Sequence, residues 1–336
     1  FATVTGKVES KVDGFEASKV ALQYKKASDL EWTSVAHDNL TAIAEDNYTY
    51  TIKGLDAGTR YVFRYIHDVE GSDNYAKSSE VSFTTEEATP LYNGGFENWY
   101  KDGAIWFPNE SGTKFWDSSN SGSAALGEDY NVTTKSTDVR SGASGSCAKL
   151  ESMNVLGMKF AAASLYTGEC TYVNTSLANA YADLTWGSPF VSRPTILRGW
   201  MKYEPKKIDC GTQPSVATEQ KGDYDVCQIY CALTTSTLEV SNNKNNFNIP
   251  STTFWTSDPR VIAYGTLPAE KCVSTNGNWV SFEIPIVYNT LTAKPSYLVL
   301  VCSSSRYGDY FYGGAGSTLY LDDFEFVYGD TPTVAN

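Results

Sequence analysis

The sequence predicts an all-β protein, a small β-sandwich followed by a larger two-sheet jelly roll. Three observations lead there. Wherever a pattern is clear, apolar and polar residues alternate with period two, as half-buried antiparallel strands require. No stretch of about ten or more residues places its apolar side chains at helical spacing. Long connections rich in Gly, Ser and Asn separate the strands, as they do in jelly rolls. Only a short piece near Ser176 to Leu184 reads as a helix.

The first part, residues 1–88, carries strands about every ten residues, the rhythm of a small sandwich. Val20, Leu22 and Tyr24 alternate with Lys19, Gln23 and Lys25, and Tyr48, Tyr50 and Ile52 with Thr49, Thr51 and Lys53. Tyr61, Phe63 and Tyr65 follow a turn at Gly58, and Val81-Ser82-Phe83-Thr84-Thr85 closes the part. Glu86-Glu87-Ala88-Thr89-Pro90 is polar and ends in Pro, so it reads as a linker. In the second part, residues 91–330, Val280, Phe282, Ile284 and Ile286 face away from Ser281, Glu283 and Pro285. Leu197, Met201 and Tyr203 likewise oppose Ile196, Arg198, Trp200 and Lys202. Tyr297 to Cys302 is apolar throughout, which predicts a strand covered on both faces. The long connections Tyr100 to Ala124 and Cys210 to Gly222 are where function usually sits.

Composition removes several classes of function. Against 39 acidic residues stand 26 Lys and Arg, a formal charge of −13 with a pI near 4.7. The basic surface of a nucleic-acid binder is missing, and so is a basic membrane-binding patch. No apolar run approaches the roughly 18 to 20 residues that cross a bilayer, so any export signal is expected upstream of Phe1. His37 and His67 are the two histidines of the chain, both in its first quarter. A Ser-His-Asp triad or a His-based zinc site therefore lacks its residues, leaving carboxylate chemistry, calcium or binding. The seven cysteines all lie from Cys147 onward, and an odd number leaves at least one unpaired. Cys227 and Cys231, four apart in a strand, are separated by about 13 Å and cannot bond to each other. They read as small apolar core residues.

Several motifs resemble known families. The run from Tyr50 to Arg64, with Leu55, Gly58-Thr59 and Tyr61, resembles the E to F corner of a fibronectin type III (immunoglobulin-like) domain. That resemblance implies a Tyr61 hydroxyl bonded to upstream backbone. The chain begins at what looks like the second strand of such a domain, so the first is expected either to be missing or to come from residues before Phe1. Leu91-Tyr-Asn93-Gly-Gly-Phe-Glu97-Asn-Trp99 and Thr318-Leu-Tyr-Leu-Asp322-Asp323-Phe-Glu-Phe326 resemble the opening and closing strands of galactose-binding-like jelly rolls. The resemblance implies a structural Ca²⁺ with Glu97 and one of Asp322 or Asp323 among its oxygen ligands. Taken alone, Glu97 and Asp322 read equally as strand-end caps in solvent.

Between these strands stand Trp106-Phe-Pro108-Asn109, Phe115-Trp116-Asp117-Ser-Ser-Asn120, Ala148-Lys-Leu-Glu151, Lys159-Phe-Ala-Ala162, Tyr166-Thr-Gly-Glu169, Phe190-Val-Ser-Arg193-Pro-Thr195 and Gly199-Trp-Met-Lys-Tyr203. In this order they are similar to the putative carbohydrate metabolism domain of surface lipoproteins from Gram-negative gut bacteria, over about residues 91–328. The resemblance implies an exported protein at the outer membrane, cell surface or periplasm, with a lipidated segment upstream as its membrane attachment and a glycan as its partner.

The residues themselves suit sugar recognition. A pyranose offers an apolar C–H face and a ring of hydroxyls, matched by aromatic planes beside Asp, Asn or Arg. Trp106, Trp116, Asp117, Asn120 and Arg193 supply that inventory. Trp116 and Asp117 lie among small residues, Gly112 to Gly122, which predicts an exposed Trp platform. The competing readings are a Trp packed in the core and an Arg193 paired with a carboxylate. A glycosidase needs two carboxylates about 5 to 9.5 Å apart. Asp223 and Asp225 are the nearest same-face pair, in what reads as a solvated loop. The leading expectation is a non-catalytic glycan-binding or adhesion protein. Its rivals are a glycoside hydrolase and a structural, surface or fimbria-associated subunit.

Overall fold

The computed structural model describes residues 1–67, 76–156, 159–176 and 178–335, which are nearly all strand and loop. The helices described are single turns such as Asn120–Ser123 and Phe254–Ser257. Two compact units emerge, Phe1–Ala88 joined by Leu291–Ala293 and Tyr328–Pro332, and the remainder.

The first unit is built from two antiparallel sheets. In one, Asn47–Ile52 lies between Ala2–Lys7 and Thr41–Ala44. In the other, Arg60–His67 pairs with Val20–Lys26, Ala76–Lys77 and Val81–Thr84, and Thr33–Val35 extends the far edge. Period-two alternation sends Val4, Leu22, Val35 and Ile52 into one core with Leu55 and Tyr61. Each side chain so buried contributes about 1.5–3 kcal/mol. The Tyr61 ring is buried, and its hydroxyl oxygen accepts the Asp56 N–H at 3.0 Å, the upstream backbone contact that the Gly58 turn motif implies.

The second unit is a pair of facing sheets. The smaller has the order Thr133–Ser136, Cys147–Glu151, Thr318–Val327, Ile196–Glu204, Val280–Pro285. The larger, ten-stranded sheet runs Leu238–Ser241, Tyr181–Trp186, Ser164–Asn174, Tyr297–Ser303, Gln228–Thr234, Val261–Thr266, Val287–Tyr288, Thr333–Val334, with Trp116–Ser118 and Ser188–Pro189 as side pairings. Leu197, Met201, Tyr203, Phe282 and Ile284 of one sheet, and Leu165, Ile229, Leu233, Leu298 and Leu300 of the other, are all buried. Cys227 and Cys231 alternate with Gln228 and Tyr230, buried and unbonded to each other, as small core residues.

The opening and closing segments of this unit touch through backbone. Phe324 N–H donates to Gly94 O at 2.8 Å, and a Cβ at Gly94 would stand 2.1 Å from the Phe324 carbonyl oxygen. Only glycine permits that approach.

One expectation is overturned. The piece near Ser176 to Leu184 is not helical, because Tyr181–Trp186 is a strand hydrogen-bonded on both sides, to Ser164–Asn174 and Leu238–Ser241; Leu177 lies outside the described residues. Backbone pairing with two neighbours outweighs the weak local preference of a short segment.

Candidate functional site

Strand alternation gives the larger sheet a second apolar face. Tyr166, Trp186, Tyr230, Ala232, Val299 and Val301 point away from the sandwich core and cluster with Leu238, Val240, Trp255 and Val261. Register aligns three of them in one row, since Val301 is the pairing partner of both Tyr166 and Tyr230. Trp255 and Tyr264 stack at 5.3 Å and cover part of this face. The rest stays open as a cavity of about 180 Å³.

Its floor includes Tyr166, Trp186, Tyr230, Gln228 and Val301, with Trp186 and Tyr230 edge to face at 6.3 Å. Ser118 to Ser123, Lys159 to Ala162, Asn242 and the turn Gly308–Tyr310 bring side chains to its walls. The Tyr166 hydroxyl and the Trp186 indole N–H are buried without a hydrogen-bond partner in the protein. Such groups cost about 1–3 kcal/mol each when left unpaired.

The charged residues lining the cavity, among those described, are Lys159, Arg306 and Asp309. Asp309 is the carboxylate lining the cavity among the described residues, and burial pushes it up to about 6. Lys159 lies 3.8 Å over the Phe311 ring, held below the usual lysine range by burial and by Lys244. The arrangement is an apolar, aromatic floor with a few directional polar groups, suited to a compact polyhydroxylated ligand.

The residues expected to touch ligand are placed differently. Trp116 is 1 % exposed, so the platform expectation is corrected. Its indole N–H donates to Tyr92 O at 2.8 Å and its ring packs on Phe96 and Phe115. The small neighbours offered no cover locally, but Phe96 arrives from elsewhere in the chain. Asp117 is buried too, its carboxylate accepting from Cys170 N–H and Ser118 N–H, both at 2.7 Å, and from Ser121 Oγ at 3.1 Å. Burial nevertheless raises its pKa above the usual range. Asn120 is fully buried, donating to Trp106 O and Thr133 O and accepting from Thr133 N–H. These three residues fasten the Ser118 to Ser123 wall through buried hydrogen bonds. Trp106 is half-buried in a small hairpin, and its N–H donates to Asn131 Oδ1. Arg193 is half-buried, away from the cavity lining.

Asp225 is also not solvated. Its carboxylate is buried and accepts from Val226 N–H, Gly314 N–H, Ser305 Oγ and Ser317 Oγ. Asp223, by contrast, is exposed and accepts from Gln220 N–H, so the two do not form a catalytic pair.

The acids considered for calcium lie near one another. Glu97 accepts the N–H and hydroxyl of Ser146, and Asp323 is ion-paired with Arg140 at 2.6 Å. Asp322 is buried and pushed up to about 6 by burial and then by Asp323, with Glu97 adding to it. No group of three or more His, Cys, Asp or Glu among the described residues is arranged to hold a metal.

A second, shallower groove of about 620 Å³ crosses the outer face of the smaller sheet near Trp200. Two of its arginines are ion-paired, Arg198 with Glu325 and Arg140 with Asp323, and Lys271 and Glu283 also line it. It lacks the unsatisfied groups of the first cavity.

The missed residues, Tyr166, Trp186, Tyr230 and Asp309, had one sequence signal. Tyr297 to Cys302 is apolar on both faces, and the face opposite the sandwich core needed a cover.

The Putative carbohydrate metabolism domain family matches residues 95–327, and the chain belongs to that family. Its fold is similar to that of a putative glycoside hydrolase from Bacteroides thetaiotaomicron VPI-5482, with 19% sequence identity, 97% of this chain and 100% of that chain covered and a TM-score of 0.51. A putative glycoside hydrolase from Bacteroides vulgatus ATCC 8482 matches at 22% identity over 71% of this chain and 97% of its own, TM-score 0.49. No curated protein matches.

Proposed function

We propose that this protein is an exported glycan-binding protein that holds a sugar in the cavity over Tyr166, Trp186 and Tyr230. The observation that carries the reading is the pair of buried, unpartnered donors, the Tyr166 hydroxyl and the Trp186 N–H, on the floor of an aromatic cavity. Family membership supports a carbohydrate as the ligand. Asp309, Gln228 and Asn242 supply acceptors and donors for ring hydroxyls. Surface tethering through a lipidated upstream segment is part of the proposal, supported by the ordered motifs shared with surface lipoproteins. So is a fibronectin type III-like first unit, supported by the Asp56–Tyr61 contact.

The test compares the wild type with Tyr166→Phe and Trp186→Phe on a glycan array. Tyr166→Phe removes an unsatisfied buried hydroxyl at nearly constant volume, so its stability should hold or rise by about 1 kcal/mol; Trp186→Phe also leaves a cavity and should lose some stability, which a melt run beside the array records. Glycan affinity should fall at least tenfold. Unchanged binding by both variants, or no glycan bound by the wild type, rejects the reading.

A glycoside hydrolase is the second reading, favoured by Asp309, whose raised pKa suits a general acid. The cavity presents no second lining carboxylate among the described residues, whereas hydrolysis by the usual route uses two. Release of reducing sugar, lost in Asp309→Asn, would favour it over binding alone.

We also propose that a structural Ca²⁺ sits near Glu97 and Asp322. The mutual repulsion of Glu97, Asp322 and Asp323 supports it, although Ser146 and Arg140 already engage two of the three, so the donor set fits only in part. Bound calcium would offset that repulsion. A melting temperature equal in millimolar calcium and in EDTA would end this part of the proposal.

A further inference from the structure

We infer that the cavity takes a single sugar ring at the end of a glycan chain, rather than an internal stretch of polysaccharide. The inference rests on the glycan-binding reading and deepens it. At about 180 Å³ the cavity is slightly larger than the roughly 150 Å³ that admits one benzene ring, and smaller than the roughly 300 Å³ at which pockets for multi-ring ligands begin. One substituted six-membered ring matches that space.

The walls point the same way. A polysaccharide lying across the sheet would have to leave the cavity at both ends. On one side the loop after Leu238–Ser241 meets the turn Gly308–Tyr310, a contact that would block the passage of a chain there. Asn242 Nδ2 donates to Asp309 O at 3.4 Å, and the Phe247 and Tyr310 rings pack with their centres 4.7 Å apart. Asn242 is itself anchored, its Oδ1 accepting the Ala182 N–H at 2.8 Å. A chain therefore enters from the open side and stops, with its terminal ring over Tyr166 and Trp186.

The experiment begins with a glycan array printed through the reducing ends. For the strongest hit, titration calorimetry then follows a series from the methyl glycoside of the terminal residue to the pentasaccharide. Affinity constant within about threefold along the series supports the inference. Affinity that rises tenfold or more between one ring and three overturns it while leaving the glycan-binding reading intact. An array with no hits overturns both. A second variant guards against an uninformative series: Phe247→Ala with Tyr310→Ala opens the closed end. It should let longer chains gain at least fivefold over the methyl glycoside, and a length dependence identical to wild type counts against the closed wall.

Discussion

Trp116 and Trp186 are equally buried, and the difference between them is one hydrogen bond. The indole N–H of Trp116 has the Tyr92 carbonyl, whereas that of Trp186 has no partner in the protein. The first N–H is satisfied by folding, and the second is left without a partner inside the protein. Trp116→Ala should therefore cost about 3–5 kcal/mol and lower the melting temperature, measured by chemical and thermal denaturation. Loss of glycan binding without that destabilisation would return Trp116 to the ligand site. Asp309 gives a pH signature. Burial pushes its carboxyl up to about 6 from the ordinary 3.8, so the folded protein holds this proton more tightly than the unfolded chain. The stability it contributes is complete below about pH 3.8 and is lost as pH rises through about 6. Asp309→Asn should raise the melting temperature at pH 7.5, and the gain should vanish near pH 4. A gain independent of pH would show that the carboxyl is solvated.

The segment from Phe115 to Leu126 lines the cavity with its small residues and is held in place by its buried polar ones. Trp116–Ser118 pairs with Ser164–Asn174, Asp117 accepts the Cys170 N–H, and Asn120 ties the segment to Trp106 and Thr133. Asn109 mirrors the arrangement, donating to Trp116 O and accepting its N–H. Asn120→Ala leaves the Thr133 N–H and C=O without that partner inside the protein, at a cost of about 2–4 kcal/mol for the two groups. Urea denaturation should show that loss. Glycan affinity should fall as well, because Ser118 and Ser123 form part of the wall. A stability loss with unchanged affinity would mean that this wall does not matter to the ligand.

At the scale of the molecule, charge sets the background. With a formal charge of −13, the surface repels polyanions and favours neutral ligands at low ionic strength. The intact protein should therefore pass through immobilised heparin at neutral pH and 50 mM salt; retention would reveal a local basic surface that the total conceals. The described residues contain no helix long and apolar enough to cross a membrane.

Much of the architecture was legible because it follows from periodicity. Alternation along Val20 to Tyr24, Leu197 to Tyr203 and Val280 to Ile286 is a local property, and it set both the strands and the faces they bury. The Gly58 to Tyr61 corner and the ordered motifs from Asn93 onward were likewise readable, since each is a short run with its own geometry. The site was not. Trp116, Asp117 and Asn120 were visible as a group of polar and aromatic residues, and their proximity to the cavity was real, but their role depended on Tyr92, Phe96, Cys170 and Thr133, which only folding brings to them. Tyr166, Trp186, Tyr230 and Asp309 lie on four separate segments, and although Tyr166 opens one of the ordered motifs, nothing in the sequence groups it with the other three. Burial and hydrogen-bond satisfaction are sums over all surrounding atoms, whatever their distance along the chain. The sequence by itself therefore determined which faces of the strands are apolar, and the tertiary structure alone decided which aromatic donors found a partner inside the protein and which did not.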